Sequence, residues 1–389
     1  MKYLRGYLAA GIFGAIAWVL MAYAQRFSTI EDMVYPYVDR NLQGYLAQWT
    51  SVVDYPVWQL LAIVLLVLIL ASLVLVVILK RSFVAWGGWV AAVFSAIYML
   101  HILMWGLSYH AGDLSNDLRL DTSSYNLEEL VEATEYYRDK AMELAAQVNR
   151  DSQGNVDFAD FETLAANAGK GFEILTYEHH YPVFAGSRLP VKKLGWADLY
   201  SSMGITGVTF GITGEAAVNP QIPDVTLPFT MIHEMAHRMC IANERDANFT
   251  GFLACSVHPD LEFQYSGYFM AYRYCYNALA GVNHPSASAA AARIKTGVSK
   301  TLQQDMDSYS QFFRSKENAL ATNVADTMND AYLKTSGDTS GIASYGQVCD
   351  LLVNWHIQTV VLPSISVEES KFDPYDENQI DLTGIVNAR

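Results

Sequence analysis

The chain has 389 residues, 52% of them hydrophobic and 17% charged, with 25 basic against 40 acidic side chains and a net charge of −15. That apolar content excludes a disordered chain. Residues 1–109 hold six Lys/Arg and four Asp/Glu while the other 280 hold nineteen and thirty-six, net −17, which excludes nucleic acid as a partner because phosphate contact needs clustered cations.

Residues 7–24, 57–79 and 83–107 are apolar runs, each near the roughly 20 residues a helix needs to cross a bilayer. The middle run, LLAIVLLVLILASLVLVVIL, carries no charge. The first, preceded by Lys2 and Arg5, also fits a signal peptide, but it is long for one and AYAQRF is a weak cleavage site. Trp86, Trp89 and Trp105, with Tyr98 and Tyr109, suit the interfacial belts of the third span. Lys2, Arg5 and the Lys80-Arg81 turn are basic, whereas the loop 25–56 carries Glu31, Asp32, Asp39 and Asp54 against two arginines. The positive-inside rule then places the N-terminus and the Lys80-Arg81 turn in the cytoplasm and residue 110 onward outside. The expectation is a multi-pass cell-membrane protein with the lipid bilayer as a partner.

Beyond the spans, 126–149 has the period of an amphipathic helix. The stretch DSQGNVDF is read as a solvated turn, since its glycine is misplaced for a calcium loop. Residues 160–177 read as a helix, and 190–196 and GITGVTFGITGEAAVNP as irregular to extended. Helical period returns over 253–280, 291–309, 324–333 and 345–361, and 365–389 reads as an acidic, flexible tail. The fold class expected is mainly α: three membrane helices over 1–109, then a mostly helical domain over 110–364 with a small extended element.

One stretch, LPFTMIHEMAH, carries chemistry. His233 and His237 lie four apart, so a helix sets both imidazoles on one face as ligands for Zn²⁺, and Glu234 is placed as general base. Pro228 suits a first helical turn, and Phe229, Ile232, Met235 and Met239 supply a buried stripe. An H-E-x-x-H arises by chance in roughly one chain in a hundred of this length, so a third ligand is required before the motif means anything. Glu244, seven residues past His237, is favoured; Asp246 is the alternative ligand, or a group orienting a histidine. His258, His179, His180 and His356 are read as surface or satisfied histidines. The four cysteines include no C-x-x-C pair, which disfavours a cysteine-ligated zinc; disulfides are allowed on the outer side.

The motif and the E-x-x-A-N segment resemble the zincin metallopeptidases. With WGLSY, TGEAAVNP, LPFTMIHEMAH, YSGYFMAY, DAYLK and SYGQV, the chain also resembles a family of bacterial multi-spanning membrane proteins that are predicted zinc metallopeptidases. That pattern has glycine where Cys240 stands and glutamate where Asp246 stands, and the zincin consensus prefers an uncharged residue at Arg238. The resemblance implies a zincin-like domain with an edge strand that pairs with substrate, for which Val208, Thr209 and Phe210 are candidates, with an ordinary sheet strand as their alternative. It also implies an oxyanion donor, with Tyr265 and Tyr268 as candidates and core packing as their alternative. The expected function is hydrolysis of a peptide or protein substrate by a zinc-activated water, with Glu234 as base. The alternative is a non-catalytic membrane sensor or scaffold retaining a structural zinc site. Intramembrane proteolysis is disfavoured, because Pro228 and the Asn243–Asp246 cluster leave the motif short of a span.

Overall fold

The computed structural model describes residues 3–316, 318–336 and 344–363, so the tail expected from residue 365 lies outside the described residues. The chain opens with α1 (Arg5–Ala24), a π-helical stretch Ile30–Asp39, α2 (Arg40–Thr50), α3 (Val57–Ile78) and α4 (Phe83–Met104). Helices α1, α3 and α4 are each long and apolar enough to span a membrane. Leu61, Val64, Leu68 and Val77 of α3 are among many exposed apolar side chains, a surface that lipid tails cover at no cost and water does not. Along α1 and α4, Gly6 lies so close to Gly88 that a Cβ at Gly6 would sit 2.4 Å from the Gly88 carbonyl carbon. Small residues of this kind let backbones approach where lipid supplies no hydrophobic drive.

The rest comprises α5 (Leu114–Leu118), α6 (Leu127–Ala145), α7 (Phe161–Asn167), α8 (Gly169–Tyr177), β1 (Lys192–Lys193), α9 (Ala197–Ser202), β2 (Gly207–Phe210), β3 (Glu215–Val218), α10 (Leu227–Arg238), α11 (Glu244–Ser256), α12 (Leu261–Gly281), α13 (Pro285–Thr296), α14 (Lys300–Lys316), α15 (Ala319–Ser336) and α16 (Ser344–His356). Helix α6 starts at a capping box: Asn126 accepts the Glu128 and Glu129 N–H groups, and the Glu129 carboxylate accepts that of Asn126. Helices α10, α11 and α12 pack together, with α6 and α16 against them. Tyr137, Phe249, Phe263 and Phe269 fill the space between; each such burial contributes about 1.5–3 kcal/mol.

Some helices expected as continuous are broken. The 253–280 run divides at Val257–Asp260, where Pro259 has no N–H and restricts the residue before it. The 291–309 run divides near Gly297, and 160–177 at Ala168. The 324–333 helix extends over Ala319–Ser336, and 345–361 ends as a π-helical turn, Ile357–Val361.

The extended element is a sheet of order β1-β3-β2, with β1 parallel and β2 antiparallel to β3, so β2 is an edge. Its central strand also holds the membrane helices. Buried Glu215 accepts the Val57 and Trp58 N–H groups at 2.8 and 3.0 Å and pairs with Lys192. This carboxylate caps the first turn of α3, where unpaired donors and the helix dipole favour an anion. In the same turn, Gln59 bonds both the N–H and the carbonyl of Gly195.

Candidate metal centre

Helix α10 begins with Pro228 in its first turn, where the missing N–H leaves no bond unmade. It ends in a left-handed turn: Cys240 N–H bonds His237 O, Ile241 N–H bonds Ala236 O, and Cys240 sits at φ 66°. This is a Schellman closure with cysteine at the position that favours glycine. The turn brings the Ile241 carbonyl to 2.9 Å from His237 Nδ1. A carbonyl only accepts, so Nδ1 carries a proton and Nε2 is the ring atom left to face a metal. Asn243 caps α11 through the Arg245 N–H, which sets Glu244 at the first helical position facing α10.

These two ends bring His233, His237 and Glu244 together, each offering a ligand atom within 4.8 Å of the others. The two Nε2 atoms are 3.1 Å apart, and Glu244 oxygens lie 3.4 Å from His233 Nε2 and 3.5 Å from His237 Nε2. Ligands on a tetrahedral Zn²⁺ at its usual bond lengths stand about 3.3 Å from one another. Buried Glu244 Oε2 has no hydrogen-bond partner, which such an ion satisfies, and two imidazoles with one carboxylate are a donor set that suits it. Asp246 is not in the group. It accepts the Leu114 N–H and pairs with Arg245, while the Ile241 carbonyl fills the histidine-orienting role expected of Asp246.

Burial lifts the Glu234 carboxyl above its usual range, although both histidines and Thr209 oppose it. Burial also acts on Glu244 and His237, but their mutual attraction overrides it: Glu244 is held far below the carboxylate range and His237 above the imidazole range. Thr209 Oγ1 lies 2.7 Å from Glu234 Oε2, so the candidate rim strand β2 reaches the candidate base. Gly207 permits this approach, since a Cβ there would lie 2.4 Å from Glu234 Oε1. Phe210 stacks on Trp58 of α3, and Val208 pairs with Ala217.

Neither candidate tyrosine reaches the cluster. Tyr265 is fully buried and donates to Asp305, which also binds Arg150. Tyr268 packs against Tyr136, Tyr137 and Phe252. The tyrosine of α12 that reaches the site is Tyr274, which donates to Asn248 Oδ1 at 2.9 Å. With His233, Asn248, Arg273, Asn277 and Tyr309 it lines a cleft of about 240 Å³. Nine residues along a helix are about half a turn out of phase, so Tyr265 and Tyr274 face opposite ways. The signal that finds this face is the set Met270, Arg273, Tyr274 and Asn277, spaced as one helical stripe.

The membrane half touches α10 directly. Trp105, expected in a lipid interface, is buried beyond the end of α4 and donates its indole N–H to the His237 carbonyl at 3.0 Å. Arg40 of α2 donates to the Met239 carbonyl. Arg238, at the position expected to be uncharged, is buried and bonds the Ser187 and Leu189 carbonyls. All four cysteines are free and buried. His258 is satisfied by the Asn167 carbonyl and the Asp260 N–H. His356 is buried with neither ring nitrogen hydrogen-bonded.

The chain belongs to the family described as "Protein of unknown function (DUF3810)", which matches residues 32–353. No curated protein and no solved structure matches it.

Proposed function

We propose that this protein is a membrane-anchored zinc metallopeptidase whose domain lies outside the cytoplasmic membrane. The observation that carries the reading is the convergence of His233, His237 and Glu244 with Glu234 buried beside them. His233, His237 and Glu244 hold the ion, and Zn²⁺ bound there supplies Lewis acidity toward water and a peptide carbonyl. Glu234 takes a proton from the attacking water and returns it to the leaving amine. Thr209 Oγ1 lies 2.7 Å from Glu234 Oε2 and 2.9 Å from the Glu234 carbonyl oxygen, which holds that carboxylate in place. Substrate peptide lies along the free edge of β2 by strand addition. The outward placement rests on the basic Lys80-Arg81 turn and the acidic 25–56 loop.

The deciding experiment is zinc content and peptide turnover of the full-length protein in detergent, with its Glu234→Gln, His237→Ala and Glu244→Ala variants. The native protein should hold about one zinc per chain, lost in the two ligand variants. Glu234→Gln should retain zinc and lose hydrolysis. Native protein without zinc after metal-replete purification overturns the reading. Zinc retained with no turnover of a broad peptide library returns the sensor or scaffold alternative.

A further inference from the structure

The second half of the chain is strongly acidic, yet the cleft at His233 carries a cation. Arg273 lines that cleft, makes no ion pair among the described residues, and its buried Nε has no hydrogen-bond partner. Its guanidinium carbon lies 3.5 Å from the centre of the Tyr309 ring. Face-on stacking of this kind uses the π surface and holds the plane still, leaving the in-plane N–H donors as a pre-set fork. A second donor is placed likewise. Asn248 is buried in the cleft wall, its Oδ1 engaged by Tyr274, and its Nδ2 has no acceptor among the described residues. A buried donor left unmade costs about 1–3 kcal/mol, so two in one wall point to a ligand rich in acceptors. The acceptor that matches a guanidinium fork is a planar carboxylate.

We infer that Arg273, with Asn248, binds a carboxylate of the substrate peptide beside the metal centre, so the enzyme selects peptides bearing one near the bond it cuts. This rests on the peptidase reading above and names its substrate class. Two sources share that chemistry, the C-terminal carboxylate of a chain and an acidic side chain.

The test is binding of fluorescein-labelled octapeptide pools to the full-length Glu234→Gln protein in detergent, read by anisotropy. Three pools share mixed internal positions: one ends in a free carboxylate, one in a carboxamide, and one in a carboxamide with glutamate next to the end. A charge-assisted bond predicts at least about tenfold tighter binding of one carboxylate pool than of the plain amide. The pool that gains identifies the source. Adding Arg273→Gln should erase the preference, Arg273→Lys should keep part of it, and Tyr309→Leu, which removes the stacking surface, should weaken it.

Equal binding of all three pools overturns the inference, as does a preference that survives Arg273→Gln in a protein of unchanged melting temperature. Zinc content and native turnover are read separately. A protein that holds zinc and cleaves peptides without regard to carboxylates sinks only this inference. A carboxylate preference lost in Arg273→Gln, in a protein that cleaves nothing, sinks only the peptidase reading.

Discussion

Gly207 shows how much of the site is set by one missing side chain. With its α-carbon against Glu234, any larger residue must move the base or the strand. Gly207→Ala should therefore lower turnover by about 100-fold or more while zinc stays bound, the range lost with a misplaced general base; turnover within a few-fold of native would deny Glu234 that role. The tyrosines of α12 separate two effects. Tyr265→Phe removes the donor to Asp305 and should cost about 1–3 kcal/mol of stability with turnover unchanged. Tyr274→Phe, which removes the donor to buried Asn248 Oδ1 in the cleft wall, should carry a similar stability cost but also impair turnover. At Cys240, φ 66° disfavours a β-branched side chain most. Cys240→Val should destabilise by about 2 kcal/mol or more, whereas Cys240→Gly, which relieves the turn but loses a small buried side chain, should melt close to native.

The pairing of His233 and His237 on α10 was legible in sequence because it is local: a step of four residues makes about one helical turn wherever the helix sits. Glu244 was legible for a related reason, as it opens the next helix after a short turn. The spans were equally plain, since uncharged apolar length is a property of the segment alone. The face of α12 was not legible, because choosing Tyr274 over Tyr265 and Tyr268 needs the rotation of α12 against α10, which tertiary packing sets. Trp105 misled for the same cause. An aromatic residue at the end of an apolar run fits a lipid interface equally well, and only the fold brings it under His237. Asp246 shared the acidic pattern of Glu244, but two positions on, its side chain turns toward Leu114 and Arg245.

For the molecule as a whole, acid and sidedness give two checks. His356 packs against Tyr136 and Tyr137 with the Glu132 carboxylate 3.8 Å away, and burial lowers its pKa from 6.5 to about 4. Between those values the unfolded chain binds the proton and the folded protein refuses it, so stability falls as pH drops through that window. Denaturation midpoints of the native protein and His356→Leu, compared from pH 7 to pH 4, should diverge, with the variant losing less. Sidedness is read by impermeant thiol labelling in intact cells. A cysteine replacing Glu128 on exposed α6 should react from outside, and one replacing Arg81 only after the membrane is opened; the opposite pattern inverts the proposed orientation.

The contacts from Arg40, Gln59 and Trp105 to the domain have a practical corollary. Excision of the domain is not an option for this protein. A fragment starting at residue 110 carries His233, Glu234, His237 and Glu244, yet leaves the His237 carbonyl, Glu215 and the Phe210 ring without the partners that cover them. Such a fragment should melt well below the full-length protein and lose zinc to a mild chelator that the intact protein withstands.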